Sequence, residues 1–253
     1  AFKVKETKKD FLNEASVIIW TTTPWTIPAN KALAFNSSIE YSLLEIDELD
    51  NFKGKKIIVA TNLIESIVKT CGIENHKILK TFKGSEFKGT ICSHPFIKMK
   101  FDYDVPMLEA NFVDLNQGTG IVHCAPSHGP DDFNLCLKHN IPSSYTVDNA
   151  GLYTKEIPYF SETHIFKADP IVIEKLKEQN QLLNSDKLNH SYPHSWRSKA
   201  PLIYRATPQW FISMEKNSLR NKAIKSINST DFFPKKGKDR LLSMIEDRPD
   251  WCV

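Results

Sequence analysis

Gly118–Phe133 reads G-T-G-I-V-H-C-A-P-S-H-G-P-D-D-F, and the order of residue types dictates a strand, a polar loop and the first turn of a helix. Gly120 to Cys124 supplies the strand. Pro130 sits at a helix start, where its missing N–H would have no partner anyway, and Asp131 and Asp132 follow in the first turn, where carboxylates complement the helix dipole. Capping alone would account for either acid, and Asp132 is the one expected to point elsewhere. Cys124 adjoins His123, so on a strand the two face opposite sides, which disfavours a paired nucleophile. His123, His128 and Asp132 straddle a proline-containing loop instead of one helix face, so no metal is expected there.

Outward from this block, short β-type runs recur at Val17–Thr21, Tyr41–Ile46, Lys56–Ala60, Lys77–Phe82 and Val105–Val113, separated by Gly, Asn and Asp turns. Helical candidates are Asn62–Cys71, Pro130–His139 and Pro170–Leu183, the last with an apolar stripe of Ile171, Ile173, Leu176, Leu182 and Leu183. The class is therefore mixed α/β, with a sheet or barrel and peripheral helices. No repeat or low-complexity tract interrupts it.

Two further segments carry unusual chemistry. Trp20–Asn30, W-T-T-T-P-W-T-I-P-A-N, places three hydroxyls after a strand, and its two prolines fix φ and remove donors, so the segment cannot continue a central strand. A stiff loop with Thr21, Thr22, Thr23 and Asn30 presents hydrogen-bonding groups in fixed directions, as an amino-acid or nucleotide site requires; a capped turn is the equal alternative. His190–Phe211 interleaves aromatic, Arg and Lys residues, a mixture suited to stacking and phosphate contact with RNA and equally to an interdomain seam.

The chain has 253 residues, of which 41% are hydrophobic and 25% charged, enough for one large or two modest domains with buried cores. Its apolar runs are far shorter than the roughly 20 residues of a membrane helix, and no signal-peptide pattern opens it, so a cytoplasmic protein without membrane attachment is expected. Five scattered cysteines, Cys71, Cys92, Cys124, Cys136 and Cys252, indicate neither a disulfide framework nor a thiolate metal site. A net charge of +3 does not by itself advertise a polyanion binder, and the runs Lys3–Lys9 and Lys235, Lys236, Lys238, Arg240 are merely permissive of RNA.

Taken together and in this order, the three blocks resemble the insertion that interrupts the catalytic domain of class I aminoacyl-tRNA synthetases for branched aliphatic amino acids. The wording T-T-T-P-W-T-I-P-A-N, without an arginine after the two threonines, and the histidine at 123 are similar to the isoleucyl members, as are R-A-T-P-Q-W-F and R-P-D-W-C further on. The resemblance implies a β-barrel-like editing domain over 16–200, with 1–15 as linker and 201–253 as a segment returning to the catalytic domain, and the abrupt end at Val253 is read as a cut. It implies hydrolysis of valine from the isoleucine tRNA at the terminal adenosine ester. Thr21, Thr22, Thr23 and Asn30, beside Trp20, would line one wall, and His123 and Asp132 the other. Asp132 would hold the substrate ammonium and His123 would limit the pocket to valine. No covalent intermediate or cofactor is implied.

H-x-G-H and K-M-S-K-S signatures are absent, so ATP and Mg belong to the full-length enzyme. Where relatives carry C-W-R-C this chain has Ser195 and Ser198, and serines are poor zinc ligands. The expected partners are the valine-bearing isoleucine tRNA and the remainder of the synthetase, with the chain a monomer. The alternatives are a catalytically silent tRNA-docking module and a valyl-type editor that removes threonine.

Overall fold

The computed structural model describes residues 1–47, 52, 54–189 and 191–253; His190, which opens the third block, lies outside them. The chain forms two compact units, Ala1–Ala206 and Thr207–Val253.

The first unit is built on β1 (Phe2–Glu6), β2 (Ser16–Val17), β3 (Ala32–Phe35), β4 (Glu40–Ile46), β5 (Lys55–Ala60), α1 (Ile64–Cys71), β6 (His76–Lys83), β7 (Ile91–Ser93), β8 (Asp104–Glu109), β9 (Val122–Cys124), α2 (Pro130–Lys138) and α3 (Ala168–Glu178). Nine strands make one mixed sheet in the order β6-β4-β5-β2-β1-β7-β8-β3-β9. β5 carries Ile57, Ile58, Val59 and Ala60 buried on both faces, the pattern of an interior strand. β6 lies at an edge, largely exposed, with Lys77, Lys80 and Lys83 along it, charges that discourage edge-to-edge pairing.

The sheet is open among the described residues, because its two ends, β6 and β9, do not pair. It nevertheless curls. One core cluster collects Phe2, Val17, Phe35, Tyr41, Ile58 and Val105 from strands spread across the sheet, together with Phe87. The segment entering β9 is stitched to the far side: Ala60 N donates to Thr119 O (2.8 Å) and Tyr41 Oη to Gly120 O (2.8 Å). Gly120 has φ +74, and a Cβ there would lie 2.4 Å from the Ala60 Cβ, so this approach requires glycine.

Several sequence expectations shift. Residues 1–15, read as a linker, contain β1, whose alternation of buried Phe2 and Val4 with exposed lysines seats it between β2 and β7. The run expected to continue to Thr21 leaves the sheet after Val17. β6 covers the expected Lys77–Phe82 with one residue more at each end, but the strand expected over Val105–Val113 ends at Glu109. β3 and β7, short and without clear alternation, were not legible. α3 starts at Ala168 with Pro170 in its first turn and buries Ala168, Val172 and Leu176; of the expected stripe Leu176 is buried and Ile171 packs partly buried beside it, while Leu182 and Leu183 lie beyond the helix end at Glu178. Among the described residues no helix is long and apolar enough to cross a membrane.

The second unit comprises β10 (Phe211–Ile212), α4 (Leu219–Asn228), α5 (Lys236–Glu246) and β11 (Trp251–Cys252), with β10 and β11 antiparallel. The Arg220 guanidinium caps the end of α5 by donating to Glu246 O (2.8 Å) and Arg248 O (2.7 Å). The basic run Lys235, Lys236, Lys238, Arg240 opens α5.

Candidate functional site

Trp20–Asn30 folds into a 3-10 helix over Pro24–Ala29, entered through Thr23 and left at Asn30. Proline at its first position suits the fixed φ, and the short 3-10 form accommodates Pro28, which a longer α-helix would not. The backbone of this segment is gripped from several sides. Asp169, in the first turn of α3, accepts from Trp25 N (2.8 Å), and the Tyr153 hydroxyl donates to Trp25 O. His94 Nε2 donates to Ile27 O (3.0 Å) and Tyr103 Oη to Asn30 O (2.7 Å). Burial pushes the Tyr103 and Tyr153 hydroxyls upward and lowers His94 to about 3, so all three are neutral donors.

A hydroxyl chain runs through the same segment. Thr23 N donates to Thr21 Oγ1 (3.0 Å), and Thr23 O accepts from both Thr26 N and Thr26 Oγ1 (2.9 Å each). Thr26 Oγ1 also lies 2.8 Å from His123 Nε2, and Asn30 Nδ2 lies 2.9 Å from His123 Nδ1 and from Ala32 O. His123 is buried at the middle of β9 and lowered to about 4, by burial first and by the neighbouring His128 second. Asn30 is fully buried, and its Oδ1 has no hydrogen-bond partner among the described residues.

β9 leads into the loop Ala125–Gly129 and then α2. Asp131 is exposed, whereas Asp132 is half-buried and turned back so that its Oδ2 accepts from Ala125 N (2.8 Å). Burial, with Asp131 adding to it, raises the Asp132 carboxyl from 3.8 to about 6 against the opposing pull of the Ala125 N–H. His128 Nδ1 donates to Tyr204 O (2.9 Å), its Nε2 lies 2.9 Å from Thr146 Oγ1, and its ring packs edge-on against Trp25 at 4.8 Å. His128 is thereby a brace that ties the loop, the 3-10 helix and the chain near 204 together.

A cavity of about 380 Å³ opens beside this segment, lined by Ile18, Trp20, Thr21, Gly118 and Thr119 among others. The structure thus places Trp20 and Thr21 on a cavity and leaves Thr22 exposed. It joins Thr23, Asn30 and His123 in one hydrogen-bonded set, and it holds Asp132 apart on its own anchor, the N–H of Ala125 just after β9. Asn30, His123 and Asp132 do not line that cavity. Sequence reasoning did not single out Thr26, His94, Tyr103, Tyr153 or Asp169. Thr26 had a signal, since Thr23 and Thr26 are three apart and eclipse in a 3-10 turn bracketed by two prolines. The others are brought in from distant segments.

Of the third block, Trp196 stands exposed with the Arg197 guanidinium over its ring at 5.0 Å, and Arg205 binds Asn149 Oδ1 (2.7 Å) and Val147 O (3.3 Å). Ser195 and Ser198 use their hydroxyls to accept from the N–H groups of Ser198 and Ala200. All five cysteines are free thiols.

A family model described as tRNA synthetases class I (I, L, M and V) matches residues 9–253. Over its whole length the chain is 63% identical to the isoleucine--tRNA ligase of Pelagibacter ubique (strain HTCC1062), of which it covers 28%. It is 46% identical to the isoleucine--tRNA ligase of Francisella tularensis subsp. novicida (strain U112), again over its whole length and over 27% of that protein. The chain therefore spans under a third of the curated relatives it matches. Among solved structures, the crystal structure of GlLeuRS-CP1 superposes with a TM-score of 0.53 at 15% identity, over 69% of this chain and 85% of that one, a likeness of fold.

Proposed function

Since the chain belongs to the class I tRNA synthetases (I, L, M and V), we propose that it is the editing portion of an isoleucine–tRNA ligase, and that it hydrolyses the ester joining valine to the terminal adenosine of the isoleucine tRNA. The observation that carries this reading is Asp132: a half-buried carboxylate, turned away from its helix and held by Ala125 N, at the end of the strand that bears His123. Partial burial destabilises its charge, and the α-ammonium of an aminoacyl ester supplies the opposite charge through a short, directional hydrogen bond. A free carboxylic acid, or a tRNA without an amino acid, offers no such group.

The ester is already activated, so hydrolysis needs a placed water more than a nucleophilic side chain. Water adds to the carbonyl carbon, the tetrahedral intermediate collapses, the ribose oxygen leaves with a proton, and valine departs as the acid. Thr21, Thr22 and Thr23 provide the hydroxyls that orient water and carbonyl, and the cavity beside Trp20 and Thr21 suits the terminal nucleoside. His123 and Asn30 stand behind the threonine segment, outside the lining of that cavity, and hold it through Thr26. A second sieve has a physical basis. One methylene in an apolar pocket discriminates by only about 1–3 kcal/mol, and the isoleucine–valine pair is the usual example of that limit. The partners are then the valine-bearing isoleucine tRNA and the rest of the synthetase, which would also hold the ATP and Mg site, with the chain monomeric.

The test is a deacylation assay on valyl-tRNA(Ile), run at high protein concentration. The native chain should release valine and Asp132→Ala should not; equal turnover by the two removes the assignment. Threonyl-tRNA as a second substrate separates a valyl-type editor, and inactivity of the native chain on both leaves tRNA docking, for which the exposed Trp196 and Arg197 pair is the supporting feature.

A further inference from the structure

The hydrogen-bond set around His123 fixes more than its position. Asn30 Nδ2 has two protons; one goes to Ala32 O (2.9 Å), which can only accept, and the other faces His123 Nδ1 (2.9 Å), which must therefore be the unprotonated nitrogen. Turning the Asn30 amide over would set its oxygen against the Ala32 carbonyl oxygen, so the assignment is not arbitrary. At the other side of the ring, Thr26 Oγ1 gives its single proton to Thr23 O (2.9 Å) and so can only accept from His123 Nε2 (2.8 Å). Each donor and acceptor in the chain Ala32 O, Asn30, His123, Thr26, Thr23 O has one consistent role.

We infer that Thr26 and Asn30 are positioning residues that engage both ring nitrogens of His123, with the proton on Nε2, so that neither nitrogen has a free side from which to take or give a proton. The inference deepens the editing reading and rests on it for one step only, that the His123 ring is what limits the size of the acyl group. Acid–base work by His123 would need a nitrogen with an open side. Here each is within 3 Å of a fixed backbone-anchored partner, and the ring is 8% exposed. The same bonds tie the carbonyl of Thr23 to β9, so the threonine wall and the histidine wall move as one body.

The test combines a spectrum with a selectivity measurement on the 253-residue chain. With ¹⁵N-labelled histidine, the His123 ring, assigned by the signals lost in His123→Asn, should show a protonated Nε2 and an unprotonated Nδ1 from pH 8 down to 5. Asn30→Asp places an acceptor against Nδ1 and should move the proton there or produce an imidazolium at pH 7. Thr26→Val removes only the acceptor for Nε2–H. It should speed exchange of that proton and lower the ratio of valyl- to isoleucyl-tRNA hydrolysis about tenfold, the effect of one lost buried hydrogen bond, while Thr26→Ser restores both. A native spectrum with the proton on Nδ1, or an imidazolium at pH 7, overturns the inference. So does a Thr26→Val variant whose proton exchange equals that of the native chain. These spectral readouts do not depend on any ester being cleaved, so their failure is separable from failure of the editing reading.

Discussion

Replacing Asp132 by Asn should stabilise the fold at neutral pH while removing the proposed activity. The carboxyl is raised from 3.8 to about 6 by burial, so the folded chain binds this proton more tightly than the unfolded chain does. With that sign, the penalty for ionised Asp132 is absent below about pH 4, grows as pH rises through 6, and is complete above it. At about 1.4 kcal/mol per unit the shift corresponds to about 3 kcal/mol, and partial exposure of the group reduces this to about 1–3 kcal/mol. Asn keeps an oxygen for Ala125 N and carries no charge, so the gain appears without loss of the anchoring hydrogen bond. For a unit of this size that is about 3–10 °C in Tm. Urea unfolding followed by circular dichroism at pH 4, 6 and 8 measures it. The variant should match the native chain at pH 4 and exceed it at pH 8. A variant no more stable at pH 8, or a gap that does not close on acidification, refutes the argument that burial strains this carboxylate. On the proposed reading the gain would be a stability–activity trade-off of the kind charged sites show, because the strained charge would be what the ammonium neutralises.

Hydrolysis of valyl-tRNA should decline as pH falls through about 6, since only ionised Asp132 receives the ammonium; a kcat/KM profile flat from pH 5 to 8 would contradict that. His123→Ala should enlarge the pocket and let isoleucyl-tRNA be cleaved, read in the same assay with both esters. Gly120→Ala should destabilise by about 2–4 kcal/mol, combining a left-handed φ of +74 with a methyl driven to 2.4 Å from Ala60, and chemical denaturation should show it. In the native chain a thiol reagent should modify the exposed Cys252 first, whereas Cys92, raised to about 12 by burial, and buried Cys124 should react only after unfolding.

Periodicity found what periodicity can see. β4, β5, β6, α1 and α2 were legible because each strand is a β-type run of six or more residues between turn signals and each helix has a terminal signal, as with Gly72 closing α1 in the left-handed conformation. β3, Ala32–Phe35, buries every residue between β8 and β9 and therefore shows no alternation at all. β1 does alternate, yet the resemblance, which begins at about Ser16, left 1–15 as a linker. The barrel-like expectation is realised as an open sheet that curls: the segment entering β9 meets β5 at Ala60 and β4 at Tyr41, and the end strands β6 and β9 do not pair. At the site, the motifs located Asn30, His123 and Asp132 but could not show how they divide. His123 faces inward with both nitrogens engaged, and Asp132 stands on a separate anchor. That division depends on Thr26 and on side chains from remote segments, which no local pattern reports.

The 3-10 helix over Pro24–Ala29 carries one further consequence, for how a guest is measured. Two prolines stiffen it from within, and Asp169, Tyr153, His94 and Tyr103 clasp its peptide groups from outside. A surface already frozen in this way loses little motion when a ligand arrives, and it cannot yield to one that is slightly too large. On the proposed editing reading it would work as a rigid gauge: the difference between two side chains a single carbon apart would meet an unyielding edge, not a pliant one that averages it away.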